Sequence, residues 1–401
     1  MDIPVLMGQI LGLCGIAIAG LFIHRVTKLD VTLASVLSGV IAGVLIPLLD
    51  LDIGLRAYHV QDLVFFVFLP LLVFEAAWHI KPHLLKRWLL PTMLLATVGV
   101  LLSAGLTGAG LYLGVGHAQG FPWLAALLTG SILAATDPVA VIAKLRTLGA
   151  PEDLTTLFEG ESLFNDATAV VLFSVMLLVV QEQSTPASLA GYFMTIFFGG
   201  IAVGLVTGLV AAISVLFIAQ VAGSILILVF TAFGSFYLAE HVFHVSGIMA
   251  AMAAAMLARV LLSEQEHTFL SGVGVSWDWL SLLLNTLLFG LMGLVISFDM
   301  FREQWLAMVI AIVAATLARF AAVYACASLT RLTHRPVPWD WTLVLAWGGL
   351  RGAIALALVL SLPSSLPYWW TVQSMVFGVV LFTLVVQGAT SGYLIRRIDA
   401  H

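Results

Sequence analysis

From its amino end the chain is a succession of apolar runs about 20 residues long, separated by short segments that gather charges, prolines and turn residues. A helix rises about 1.5 Å per residue, so such a run crosses a hydrocarbon layer about 30 Å thick. Thirteen runs are expected to be helical spans: 5–23, 31–49, 61–79, 89–113, 122–145, 160–181, 189–218, 223–240, 243–262, 277–298, 304–330, 341–362 and 370–395. The seventh and eighth are divided only by a short Ala-Gln-Val-Ala-Gly turn at 219–223. Two spans are interrupted near their middles. The fifth contains Ala-Thr-Asp-Pro-Val (135–139), where Pro138 removes a backbone donor and clashes with the preceding turn. The twelfth contains Gly-Gly-Leu-Arg-Gly (348–352), three glycines around an arginine.

The two breaks lie seven spans apart. An odd offset makes a repeat of spans 1–6 in spans 8–13 inverted, giving repeat A over about 1–185, a linker helix over about 186–220 and repeat B over about 221–401. Paired interrupted helices in inverted halves point to a transporter site near the membrane midplane.

Basic residues test the count independently, because they gather on the cytoplasmic side of short loops. With the N-terminus outside and the C-terminus cytoplasmic, twelve of the 16 Lys and Arg fall inside: Arg25, Lys28, Lys81, Lys86, Arg87, Lys144, Arg146, Arg259, Arg331, Arg335, Arg396 and Arg397. Arg56 and Arg302 fall outside; Arg319 and Arg351 lie within spans. Met1 to Gln9 carries Asp2 and no basic residue, so the first run reads as a retained helix rather than a secretory leader.

Composition narrows the class further. The chain has 401 residues, 62% hydrophobic and only 9% charged, against about a quarter charged in soluble domains. This excludes an ordinary soluble enzyme, a disordered chain and a nucleic-acid binder, and argues against an outer-membrane barrel with its polar lumen. An all-α polytopic membrane protein remains. The net charge of −5 says little about partners, and Cys14 and Cys326, both in apolar stretches, suggest neither a disulfide framework nor a metal cluster.

Against this apolar background the intramembrane ionisable residues stand out, since each costs about 2.5–3.5 kcal/mol or more at mid-bilayer. They are Glu75, Asp137, Glu161, Asp166, Arg319 and Arg351, with Glu159 and Glu240 near span ends. Four acids face two bases, so at least one acid has no basic partner and must take up a proton or an entering cation. In the sixth span, helical geometry puts Glu161, Ser162, Asn165 and Asp166 on one side, opposite Leu, Phe, Val and Ala. Ser162 and Asp166 stand one turn apart, so hydroxyl and carboxylate can share a hard cation, with carbonyls freed near Thr136 and the Asp137 carboxylate beside them. Glu161 is expected to pair with an arginine, Arg319 before Arg351, which could instead satisfy carbonyls freed by the glycine break. Glu75 is either a third carboxylate lining the path or an interfacial residue. Glu240, His241 and His244 read as an interfacial group, and the tryptophans at span ends as an aromatic belt.

The motifs together resemble the monovalent cation:proton antiporters. Ala-Thr-Asp-Pro-Val-Ala (135–140), Phe-Glu-Gly-Glu-Ser-Leu-Phe-Asn-Asp-Ala-Thr-Ala (158–169) and Gly-Gly-Leu-Arg-Gly-Ala-Ile-Ala (348–355) carry the likeness, joined by Leu-Pro-Leu-Leu-Val-Phe-Glu-Ala-Ala (69–77) and Val-Ser-Gly-Ile (245–248). The resemblance implies a thirteen-helix fold with two inverted six-helix repeats, and a homodimer in whose protomers a core domain moves against a dimerisation domain. It implies exchange of sodium or lithium for protons without cofactor in the cell membrane, with potassium/proton exchange or a cation channel as the alternatives. Asp166 would carry cation and proton in turn, with Asp137, Ser162 and the Thr136 carbonyl completing the sodium site. Asn165 before Asp166 is similar to the electroneutral branch, which implies one proton per sodium and a Glu161–Arg319 pair. Members often carry a long cytoplasmic tail; only a few residues follow the thirteenth run, so no soluble C-terminal domain is expected.

Overall fold

The computed structural model describes residues 3–48, 63–116, 120–137, 139–180, 186–263, 267–333, 335–363, 366 and 368–398, and every regular element among them is helical. The chain opens with α1 (Ile3–Thr27) and α2 (Val31–Leu48); Arg56 lies outside the described residues. A π-type turn (Val64–Phe68) leads into α3 (Leu69–His79). Helix α4 (Pro82–Leu94) continues through a second π-type turn (Leu95–Gly99) into α5 (Val100–Gly114). This fourth rod starts well before the expected residue 89. Pro82 sits at the helix start, where its missing N–H loses nothing, and Lys86 and Arg87 one turn on are exposed.

The fifth span is α6 (Trp123–Ala134) and α7 (Val139–Thr147), separated by extended backbone at Ala135; Pro138 itself lies outside the described residues. The sixth is α8 (Glu152–Val180), whose polar first turns extend beyond the expected run. Helices α9 (Pro186–Ile218) and α10 (Val221–Tyr237) are divided at Ala219, where a left-handed φ of 49° breaks the helix inside the expected turn. Next come α11 (Gly247–Leu261), α12 (His267–Val295) and α13 (Phe298–Thr330). The twelfth span is again broken, into α14 (Trp339–Trp347) and α15 (Ala353–Leu360). Helix α16 (Trp369–Phe382) passes through a π-type turn (Thr383–Gln387) into α17 (Gly388–Ile398).

Among the described residues, nine helical rods are long and apolar enough to cross a membrane. Three shorter apolar helices, Val31–Ile46, Val64–His79 and Gly247–Leu261, fall on the second, third and ninth expected runs, and the α14–α15 pair falls on the twelfth.

The helices pack in two groups that touch each other less than they touch themselves. One holds α1–α3 and α9–α12; the other holds α4–α8 and α13–α17. Close approach in the first group depends on glycine. A Cβ on Gly200, Gly204 or Gly208 of α9 would stand 2.4, 2.3 and 2.6 Å from the carbonyl oxygens of Ser246, Ala250 and Ala254. In an apolar solvent such small-residue seams give helices their packing energy, since lipid tails are as apolar as leucine.

Candidate cation site at the crossing of two broken helices

The α6–α7 and α14–α15 breaks meet. The Asp137 N–H donates to the Leu350 carbonyl at 2.8 Å, tying the two interruptions together by their own freed backbone groups. The Asp137 carboxylate accepts from Val139 N–H at 3.2 Å and from Ala353 N–H at 3.4 Å, so it caps the starts of α7 and α15 at once. Gly352 allows this approach: a Cβ there would lie 2.2 Å from Asp137 Oδ2.

Helix α8 passes beside the crossing and presents its polar face to it. Ser162 donates its hydroxyl to the Thr136 carbonyl, and Asn165 Nδ2 reaches Thr136 Oγ1 at 3.2 Å and Glu161 Oε1 at 2.9 Å. Thr136, Glu161, Ser162 and Asn165 are all buried. Asp166 Oδ1 is buried and accepts no hydrogen bond among the described residues; Asn165 Oδ1 beside it is likewise buried without a partner, but only the Asp166 oxygen belongs to an ionisable acid.

The two intramembrane arginines separate in role. Arg319 on α13 meets Glu161 in a two-pronged pair, Nη1–Oε1 at 2.8 Å and Nη2–Oε2 at 3.0 Å, and Nη2 also donates to the Leu345 carbonyl at 3.2 Å. Arg351 is held by its backbone N–H on Thr383 Oγ1 at 3.0 Å, and its Nη1 donates to the Gly349 carbonyl at 3.2 Å. It satisfies a carbonyl freed by the glycine break and leaves Glu161 to Arg319.

A cavity of about 290 Å³ opens between the two helix groups and ends at this network. Asp137, Ser162, Asp166 and Ala353 line it from one group; Glu75, Ser281 and Asn285 line it from the other. Nearer the mouth stand His79 and Asp278, facing Arg146 and Glu159, which pair at 2.7 Å. Arg146 and Asp278 are more than half exposed, so the cavity reaches solvent at that end. The same end carries a belt of charge contacts: Lys81 with Glu152, Arg87 with Asp153 at 3.1 Å, and Lys144 with the Gly388 carbonyl.

Every residue expected for the site except Arg351 lies at the cavity or in the network behind it, Glu75 included. His79, Asp278, Ser281 and Asn285 were not expected there. Their signal is present, however, because Asp278, Ser281 and Asn285 follow at steps of three and four and so share one face of α12. Glu240 and His244 line a separate pocket away from this site, where Glu240 Oε1 accepts from Gly247 N–H at 2.9 Å, whereas His241 stacks on Tyr237 at 4.7 Å.

Fold and site together define an all-helical membrane protein with an acidic cavity that ends where two broken helices cross. The pattern of the family described as "Sodium/hydrogen exchanger, transmembrane" matches residues 13–397, and the chain belongs to that family. It is 35% identical over 347 residues to the Na(+)/H(+) antiporter ApNhaP of Aphanothece halophytica, covering 84% of this chain and 65% of the relative, so it spans slightly less than two thirds of that protein. It is 32% identical to the Na(+)/H(+) antiporter NhaH of Halobacillus dabanensis, with 97% of each chain covered. The fold is similar to that of the sodium proton antiporter MjNhaP1 of Methanocaldococcus jannaschii, with a TM-score of 0.79 over 99% of this chain at 20% identity.

Proposed function

We infer that the chain is a transporter that exchanges sodium, or lithium, for protons, one for one, across the cell membrane. The observation that carries this reading is the buried, unpartnered Oδ1 of Asp166 at the inner end of the cavity. An anionic oxygen there must be neutralised by a proton or by a cation, and one carboxylate cannot hold both. Ser162, whose proton is committed to the Thr136 carbonyl, turns its lone pairs free to complete oxygen coordination with Thr136, and Asp137 adds a second negative charge. Asn165 steadies Thr136 and Glu161, and the Glu161–Arg319 pair keeps a further acid from competing for the cation. Glu75 faces the same cavity from the opposite helix group and adds to its negative field.

Alternating access then follows from the two helix groups. The group carrying the crossing moves against α1–α3 and α9–α12, and only a neutralised Asp166 crosses the apolar barrier without a large penalty. The inverted repeats over about 1–185 and 221–401, joined by α9, would supply the mirrored state; thirteen crossings, N-terminus outside and C-terminus cytoplasmic, fit the basic residues at the cavity's open end. Relatives named as Na(+)/H(+) antiporters support the substrates. A homodimer through the α1–α3 and α9–α12 group would anchor the static half in the bilayer. In reconstituted vesicles, Asp166→Asn is expected to abolish sodium-driven proton flux, and exchange at the wild-type rate would overturn the assignment. Potassium in place of sodium, with and without a membrane potential, separates the potassium-exchanger and channel alternatives: an exchanger of one-to-one stoichiometry is insensitive to the potential.

A further inference from the structure

The cavity mouth holds a second cluster, distinct from the Asp137–Asp166 site. His79 at the end of α3 lies between two carboxylates: Nδ1 is 3.1 Å from Glu75 Oε1, and Nε2 is 3.2 Å from Asp278 Oδ1 on α12. One ligand atom from each of the three side chains lies within 4.8 Å of the other two, so modest side-chain rotation closes them on one ion. His79 and Glu75 are largely buried, 22% and 18% exposed, and only Asp278 reaches well into solvent at 64%.

Two details bear on what this cluster can hold. First, His79 Nδ1 also stands 3.0 Å from the Glu75 backbone carbonyl, an acceptor that fixes the proton on Nδ1 and aims the Nε2 lone pair at Asp278. A neutral ring in that tautomer sets a lone pair against a carboxylate oxygen, a contact relieved either by a proton on Nε2, which makes an imidazolium between two carboxylates, or by a metal ion in that proton's place. Second, the 3.2 Å spacing is close to the edge of a tetrahedron of bonds 2.0–2.1 Å long, about 3.3 Å, the geometry zinc takes with imidazole and carboxylate.

We propose that Glu75, His79 and Asp278 form a binding site for a divalent transition metal of the zinc class, whose occupation inhibits ion passage to Asp166. One imidazole nitrogen and two carboxylates suit zinc, cobalt or nickel, whereas calcium and magnesium favour all-oxygen shells. The fourth position faces the cavity and takes water. Binding needs Nε2 unprotonated, so any proton it carries is released to solvent as the metal enters, and affinity falls with acidity. Bound metal withdraws Glu75 from the cavity wall, cancels the two carboxylate charges that draw a cation into the mouth, and sets an ion with its water in the passage to Asp166. The inhibitory consequence rests on the exchange reading above; the metal site does not.

The test starts from tag-free protein in detergent, titrated calorimetrically with zinc and free of any ion gradient. One site per chain is expected. His79→Gln and Asp278→Asn should each weaken it at least about tenfold, while Asp166→Asn binds as the wild type. X-ray absorption at the zinc edge of the wild-type protein, which needs no variant, should show one imidazole nitrogen with oxygen ligands. Absence of a site, unchanged affinity in His79→Gln, or a sulfur ligand would each overturn the proposal. In vesicles, zinc on the cavity side is expected to slow wild-type exchange and to spare Asp278→Asn. Binding without such inhibition overturns the inhibitory role, and binding in a protein without exchange activity would sink the transport reading alone.

Discussion

Glu161 shows what a single buried charge demands. Its carboxylate is 1% exposed and fully engaged by Arg319 and Asn165. Removing one partner from such a pair leaves an uncompensated charge, at a cost of about 3–5 kcal/mol, more than any of the exposed ion pairs at the cavity mouth contributes. Arg319→Ala is therefore expected to lower the thermal unfolding midpoint in detergent sharply. Glu161→Gln in the same background should restore much of the loss, because the orphaned charge goes with it. A double-mutant cycle without coupling would refute the pair. The surplus of acids over bases in the spans is countable along the chain, but it leaves two arginines open. Only the fold brings residues 158 positions apart into contact and turns Arg351 to the Gly349 carbonyl instead.

At the level of elements, the two interruptions act as one joint. Each break alone would leave carbonyls and N–H groups unpaired in an apolar environment; crossing lets Asp137 N–H meet the Leu350 carbonyl and lets one carboxylate cap two helix starts. Gly352 is set by space rather than by backbone strain, so Gly352→Ala forces its new methyl onto Asp137. A cost of about 1–3 kcal/mol in stability, with strongly reduced exchange, is expected. Gly105→Ala, on α5 with nothing within 4 Å of the added atom, should leave both unchanged. Equal effects at the two glycines would count against the joint. That the fifth and twelfth spans break is legible from Pro138 and the 348–352 glycines. That they break against each other is not, since a local pattern carries no information about which distant segment supplies the missing partner.

For the whole molecule, the consequence of two helix groups is a cavity open at one end, the end that gathers Lys81, Arg87, Lys144 and Arg146. Ser281→Cys, in a background with Cys14 and Cys326 replaced by serine, places a thiol on the cavity wall. A membrane-impermeant reagent is expected to label it from the cytoplasmic face and not from outside; labelling only from outside would reverse the orientation. The sequence by itself determined the helical class, the order of the spans, the two breaks and the polar face of α8, because hydrophobic run length, helical period, proline and glycine act locally. It also bounded the chemistry, because charge is so scarce here that each buried acid needs a reason. The tertiary structure alone decided which arginine answers Glu161, how the breaks pair, and that α3 and α12 bring Glu75, His79 and Asp278 to one mouth. Helical periodicity says which face of a helix is polar; it cannot say what stands opposite, because that neighbour is chosen by packing across the whole chain.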